Sequence, residues 1–277
     1  MTGEKIPLAG VIGSPIAHSK SPQLHHHWLR VYGLAGHYIP MDVATDDLKS
    51  VLQTLPKMGF VGVNITVPHK ERVLEMADLI TDRATLIGAA NTLIFRKDGR
   101  VHADNTDGYG FIENLKQGAA NWNPKAGPAA VLGAGGAARA VVASLIDSGV
   151  PEILISNRTR IRAEKLADDF GKRVRVVEWV KAGNIIEEAA LVVNTTSLGM
   201  LGKPELRVPL DGLRREAVVT DLVYNPLQTR MLRVADEMGC KTVDGLGMLL
   251  HQAVPAFERW FGKRPVVDAA TRAAALR

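Results

Sequence analysis

Residues 133–139, Gly-Ala-Gly-Gly-Ala-Ala-Arg, follow the apolar run Pro128-Ala129-Ala130-Val131-Leu132 and open a helical pattern, AARAVVASLIDSG. Strand, glycine turn and helix in that order make a cradle for a pyrophosphate. Gly133 makes the tight turn, Gly135 lets the backbone approach the phosphates, and Ala138 permits close helix–strand packing. Ala134, Gly136 and Ala137 complete a loop whose free N–H groups and helix dipole favour an anion. The expected ligand is a dinucleotide. A ribose diol is usually held by Asp or Glu at the end of the second strand, about 20 residues on. Here that strand, EILISN, ends at Asn157, and Arg158, Arg160 and Arg162 follow. Guanidinium groups match phosphate in charge and planar geometry. The pattern predicts NADP, with Arg158 as first contact to the 2′-phosphate, Arg162 beside it, and Arg160 on a solvated helix start.

Three other stretches put small polar groups where strands end: His18-Ser19-Lys20-Ser21-Pro22, Asn64 to Lys70, and Gly88 to Gly110. Strand carboxyl ends are where α/β proteins place ligands. Each also has a local explanation. Ser21 before Pro22 suits an N-cap, Thr66 a helix start, and Asn91 and Asp107 a turn and a cap. The triplet His25-His26-His27 invites a metal site, but consecutive helical side chains diverge by about 100° and cannot converge on one ion. We expect no metal. The helix should face the core through Leu24, Trp28 and Val31, with the histidines towards its edges.

The elements that must position these residues alternate throughout. KIPLAGVIG, HYIPMDV and GFVGVNITV read as strands, residues 21–33 and 45–55 as helices, with further helices near 68–77 and 81–88. NTLIFRKDGRVHADNT reads as a hairpin turning at Lys97-Asp98-Gly99. Beyond 128, strand–helix alternation implies right-handed βαβ units and a parallel sheet. From Gly245 the chain returns to helix, with a kink expected at Pro255. The expected architecture is α/β throughout. An N-terminal α/β domain (1–108), completed by helices in 245–277, would face a Rossmann-type doubly wound domain (109–244) across a cleft. The length, 277 residues, and 46% hydrophobic composition suit two cores. No apolar run is long enough to span a membrane. The first residues lack the apolar stretch of a secretory signal. Cys240, the single cysteine, excludes an internal disulfide. Together these suggest a cytoplasmic protein.

Taken together the stretches resemble the shikimate dehydrogenase family. Its His-Ser-x-Ser-Pro pattern is met at residues 18–22, Asn-x-Thr-x-Pro-x-Lys at 64–70, Gly-Ala-x-Asn-Thr at 88–92 and Asn-Thr-Asp-Gly-x-Gly at 105–110. GAGGAAR, SNRT, NTTSLGM and DGLGMLLHQA continue the match through the cofactor half. The resemblance runs from about residue 6 to 270. It implies NADP-linked interconversion of shikimate and 3-dehydroshikimate, a step of aromatic amino acid biosynthesis. It further implies that Ser19 and Ser21 bind the substrate carboxylate. Thr66, Asn91 and Gln252 would hold ring hydroxyls, with help from Asn64, and Lys70 and Asp107 would be the catalytic pair. Tyr224 and Gly245 would lie beside nicotinamide or substrate, while Thr159, Thr195 and Met248 would join the cofactor side. The chemistry is consistent with these roles: a lysine ammonium is an acid near neutrality, and two serine hydroxyls can grip a carboxylate without adding a cation. Asp107 opposes neutralisation of Lys70, so its expected task is to position that ammonium and bond the hydroxyl.

Three rivals remain at this level. One is an NAD-dependent quinate/shikimate dehydrogenase, disfavoured by Asn157 and by the Ser/Ser pair. Another is a ligand-sensing regulator, which has no use for both Lys70 and Asp107. The third is a nucleic-acid binder. Residues 158–175 carry seven Lys/Arg against three Asp/Glu, but the stretch is short and lacks any such motif. The expected partner is the small-molecule substrate, with no nucleic acid and no membrane. A homodimer stays open.

Overall fold

The computed structural model describes residues 5–276. Contacts divide them into two compact units, one running to Thr106 and resuming at Gln252, the other spanning Asp107–His251.

The first unit carries β1 (Leu8–Gly13), α1 (Ser21–Val31), β2 (His37–Asp42), α2 (Leu48–Thr54), β3 (Phe60–Ile65), β4 (Leu79–Ile80), α3 (Asp82–Ile87), β5 (Thr92–Phe95) and β6 (Val101–Asp104). The strands form one sheet in the order β2-β1-β3-β5-β6-β4. β1 pairs in parallel with β2 and β3, whereas β5 runs antiparallel to β3 and β6. This mixture decides where the polar stretches meet. The loops after β1, β3 and β6 leave one edge of the sheet, and Asn91 enters β5 at that same edge. There Asn64 pairs with Thr92, and Thr92 with Asp104. The reversal between β5 and β6 uses Gly99 at φ +84°, a left-handed conformation that glycine adopts without a Cβ clash.

Two local expectations are corrected. The predicted helix near 68–77 is only a 3₁₀ turn, Arg72–Met76. It ends because Ala77 turns extended and Asp78 N–H donates to the Val101 carbonyl, starting β4. Ser21 is the first helical residue of α1 and not its cap. Lys20 holds the cap position, and the Ser19 hydroxyl oxygen accepts the Ser21 N–H at 3.3 Å.

The second unit carries α4 (Asp107–Gly118), β7 (Ala129–Leu132), α5 (Gly136–Asp147), β8 (Ile153–Ser156), α6 (Arg160–Phe170), β9 (Val174–Val177), α7 (Ala182–Glu188), β10 (Leu191–Asn194), β11 (Val218–Asp221), α8 (Arg230–Glu237) and β12 (Lys241–Val243). All its strand pairs are parallel, in the order β12-β11-β10-β7-β8-β9. The sheet is covered on both faces. One apolar cluster includes Phe111, Val141 and Leu145, the other Ile185, Leu206 and Met231. Strand order reverses between β7 and β10, the switch point where doubly wound sheets open a crevice. α9 (Leu246–Phe261) contains the division between the units and runs unbroken through Pro255, so the proline does not interrupt the helix. α10 (Ala269–Leu276) closes the first unit, where Thr271 Oγ1 accepts from Trp28 Nε1 at 3.3 Å.

Candidate active site and dinucleotide cavity

At the switch point of the second unit lies a cavity of about 270 Å³. It is lined by the glycine turn Gly133, Ala134 and Gly135, by a rim of Asn157, Arg158 and Arg162, and by a wall of Thr195 to Leu198. Gly133 sits at φ +110°, and a Cβ there would meet Thr195 Oγ1 at 2.6 Å. At Gly135 and Gly136 a Cβ would meet nothing within 4 Å, so there is open space beside the turn at the start of α5. That space, bounded by a glycine turn and a helix N-terminus, fits a pyrophosphate. Ala137 follows in the first turn of α5, and Ala138 is fully buried against the sheet.

The arginines divide by their partners. Arg160 is tied to Glu164 at 2.7 Å and Glu178 at 3.3 Å on the exposed face of α6. Arg158 and Arg162 are exposed on the cavity rim and make no ion pair among the described residues. Asn157 Nδ2 donates to the Thr159 carbonyl at 2.8 Å, which tightens the turn into α6. The rim therefore offers positive charge and no carboxylate. Trp179, Thr196, Ser197 and Leu198 also line the cavity, and sequence reasoning singles out none of them individually. The last three lie in the NTTSLGM stretch, whereas Trp179 has no local signal, because it reaches the cavity only through the position of β9.

In the first unit the strand-end residues form one hydrogen-bonded chain. The Tyr38 hydroxyl donates to Asn64 Oδ1 at 2.7 Å and also meets the Ser21 hydroxyl. Burial pushes its pKa well above the usual phenol range, and the Ser21 hydrogen bond only partly opposes this. Asn64 Nδ2 donates to the Asn91 carbonyl at 3.1 Å and to Thr92 Oγ1 at 3.2 Å. Asn91 Nδ2 then donates to Thr106 Oγ1 at 3.0 Å and to Gln252 Oε1 at 2.9 Å. Asn91 Oδ1 accepts the Thr106 N–H at 2.9 Å. Thr66 is half-buried, and its hydroxyl makes no hydrogen bond among the described residues. The Lys70 carbonyl accepts the Ala90 N–H at 2.8 Å, which pins the end of the Asn64–Lys70 stretch to the Asn91 strand. Beneath this edge Asp104 is buried. Burial opposes its ionisation, but Arg83, Thr81 and the Asn105 N–H more than offset that and hold its carboxyl below the usual range.

Asp107 opens α4 and is buried within the second unit. Tyr224, Gly245 and Met248 also belong to that unit, but they do not line the dinucleotide cavity. Tyr224 is half-buried, which raises its hydroxyl pKa.

The histidine triplet is corrected in one respect. His25 is not at an edge: it is fully buried, stacked on Tyr38 with centroids 3.8 Å apart. Val31, expected in the core, is 59% exposed. The apolar face of α1 is thus rotated, because Tyr38, Phe257 and Trp260 supply an aromatic pocket for the His25 ring. Desolvation, aided by His26, lowers the His25 pKa to about 3. Among the described residues no group of three His, Cys, Asp or Glu side chains is arranged to hold a metal ion. No helix among them is long and apolar enough to cross a membrane.

Comparison with known proteins agrees with this geometry. Three family models match in order: the shikimate dehydrogenase substrate binding domain over residues 11–93, shikimate/quinate 5-dehydrogenase over 118–201, and the shikimate 5′-dehydrogenase C-terminal domain over 245–275. The chain belongs to the shikimate dehydrogenase family. A relative named shikimate dehydrogenase (NADP(+)) from Roseobacter denitrificans is 67% identical, covering 100% of both chains. Among solved structures, shikimate 5-dehydrogenase from Thermus thermophilus, in complex with NADP(H) and shikimate, is 40% identical. It covers 98% of this chain and 99% of its own, with TM-score 0.87. Quinate dehydrogenase from Corynebacterium glutamicum in complex with NAD is 33% identical, with TM-score 0.90 and coverage of 97% and 98%. These two solved structures hold different nucleotides, NADP(H) in one and NAD in the other, and the cavity rim of this chain becomes informative about its own choice.

Proposed function

We propose that this chain catalyses the reversible, NADP-linked reduction of 3-dehydroshikimate to shikimate. The observation that carries the cofactor half is the cavity rim, where Asn157 stands in place of an acid and Arg158 and Arg162 are exposed and unpaired among the described residues. The glycine turn would hold the pyrophosphate and Arg158 the 2′-phosphate, with Arg162 beside it. Thr159 and Thr195 would border the same ligand, and Gly245, Met248 and Tyr224 would meet its nicotinamide end.

Substrate recognition falls to the first unit. Ser19 and Ser21 would donate to the carboxylate. Thr66 has a hydroxyl to offer a ring alcohol. Asn91 spends its amide hydrogens on Thr106 and Gln252, so its main effect is orientation. By donating to Gln252 Oε1 it turns the Gln252 Nε2 hydrogens towards a second alcohol. A site built from such oriented donors rejects analogues that leave one unpaired.

NADP supplies or accepts the hydride when bound. Lys70 would deliver the proton from Nζ to the alcohol oxygen in the reducing direction and take it back in the other. Asp107 would hold that ammonium and accept from the same hydroxyl. With a single cysteine, Cys240, there is no internal disulfide to maintain, which suits the cytoplasm.

The test is NADPH oxidation with 3-dehydroshikimate by the wild type, Lys70→Ala and Asp107→Asn. Each substitution is expected to lower kcat by about 10²-fold or more, the scale of a positioned acid–base group. Near-normal turnover in Lys70→Ala would refute the assignment. Higher kcat/KM with quinate and NAD than with shikimate and NADP would replace it with the quinate reading.

A further inference from the structure

The proposed reaction gives no task to the buried acid Asp221. Asp221 ends β11 at 0% exposure, deep in the second unit. Its Oδ1 accepts from Asn194 Nδ2 at 2.9 Å and from the Val223 N–H at 3.0 Å. Its Oδ2 accepts from the Thr229 hydroxyl at 2.7 Å. These donors come from the end of β10, the loop after β11 and the cap of α8. Burying a carboxylate is costly, and an apolar residue would serve packing alone as well or better.

The Asn194 amide carries the chain of bonds onward. Its Oδ1 accepts the Thr196 N–H at 3.0 Å and the Thr196 hydroxyl at 2.7 Å. Thr196 Oγ1 in turn accepts the Leu198 N–H at 3.0 Å, and Asn194 Nδ2 also donates to the Leu198 carbonyl at 3.2 Å. Thr196 and Leu198 are wall residues of the dinucleotide cavity. An amide can sit either way round, but a carboxylate only accepts. Asp221, together with the Leu198 carbonyl and the Thr196 N–H, therefore holds Asn194 with Nδ2 inward and Oδ1 towards Thr196. Its hold on Val223 fixes the residue just before Tyr224.

We propose that Asp221 is a positioning residue: it orients the Asn194 amide and thereby shapes the 195–198 wall that receives the cofactor. The proposal rests on the cofactor reading above. An amide at position 221 removes the charge from the group that accepts from Asn194 Nδ2, so it loosens that hold while the Leu198 carbonyl and the Thr196 N–H remain.

The test compares wild type, Asp221→Asn and Thr229→Val. Binding of adenosine 2′,5′-bisphosphate is followed by calorimetry, and amide hydrogen exchange is followed at Thr196, Leu198, Val192 and Val219. Asp221→Asn is expected to weaken the bisphosphate by about 5- to 20-fold. Exchange should quicken at Thr196 and Leu198 and stay unchanged at Val192 and Val219 within the strands. Thr229→Val removes a donor that does not lead to the wall; it should lower Tm and leave binding unchanged. Should Asp221→Asn not fold, Asn194→Ala carries the same test by removing the amide that is oriented. Unchanged binding and exchange in Asp221→Asn, or losses in all variants that simply track Tm, would overturn the proposal. If the wild type does not bind the bisphosphate, the cofactor reading fails, and the exchange comparison still decides whether Asp221 sets the wall.

Discussion

His25 links the stability of the first unit to pH. Its ring lies between Tyr38, Trp28, Phe257 and Trp260, and neither ring nitrogen has a hydrogen-bond partner. Burial therefore keeps it neutral, with a pKa of about 3 in the fold against an ordinary 6.5. Between those values the unfolded chain binds a proton that the folded chain does not, so stability is full above 6.5 and falls as the pH drops below it. At pH 5 the loss amounts to roughly 2 kcal/mol relative to pH 8, and the ceiling below pH 3 is roughly 5 kcal/mol. Asp221, in the second unit, works in the opposite sense. Burial raises its carboxyl to about 6 from 3.8, so that acidification to pH 5 returns roughly 1.4 kcal/mol. A wild-type pH curve would mix the two effects. The informative perturbation is His25→Phe, which keeps an aromatic ring against Tyr38 and removes the titration. Any packing cost of the larger ring is the same at every pH and cancels from the slope. The assay is urea unfolding at pH 8, 6.5 and 5 in a Trp122→Phe/Trp179→Phe background, where only Trp28 and Trp260 of the first unit report. The stability difference between the proteins with and without the His25→Phe substitution should shift by about 2 kcal/mol in favour of phenylalanine from pH 8 to pH 5. Parallel curves, or a His25 imidazole resonance titrating near pH 6, would refute the reasoning.

Two further outcomes concern the cofactor cavity. Arg158→Ala should weaken NADP by about 10- to 100-fold at low salt, as expected for loss of a charge-assisted hydrogen bond, and leave NAD nearly untouched; calorimetry with both nucleotides checks this. Equal losses for both would remove Arg158 from the 2′-phosphate. Gly133→Ala puts a methyl 2.6 Å from Thr195 Oγ1 and 2.9 Å from Thr196 Cγ2 at a left-handed φ, so it should cost about 1–3 kcal/mol in stability and displace the cavity wall. Thermal unfolding together with NADP titration measures both effects, and wild-type values in each would show that the turn relaxes freely.

The family motifs, the glycine turn and the missing acid after β8 were all legible in the chain. Each is local: a run of a few residues whose chemistry depends on backbone type and side-chain charge. The division of Arg158, Arg160 and Arg162 was half legible, since the Glu164 partner of Arg160 lies one helical turn away, whereas its second partner, Glu178, arrives from beyond β9. Helical period identifies the stripe that faces a core but not its width, which depends on the surface opposite. For that reason the period points Val31 inside and His25 to an edge, when aromatic side chains from β2 and α9 close over His25 instead.

The sequence by itself thus determined the fold class and the family and singled out the candidate site residues, because all of these are written in short motifs at strand ends. Tertiary structure alone decided how the motifs act on one another. Asn91 meets Gln252 across 161 residues, Trp179 reaches the cavity wall through β9, and Asp221 holds Asn194 from the neighbouring strand. These links depend on which strands pair and in which direction, and a mixed sheet in one unit and a parallel sheet in the other settle that through long-range hydrogen bonds that no short stretch encodes.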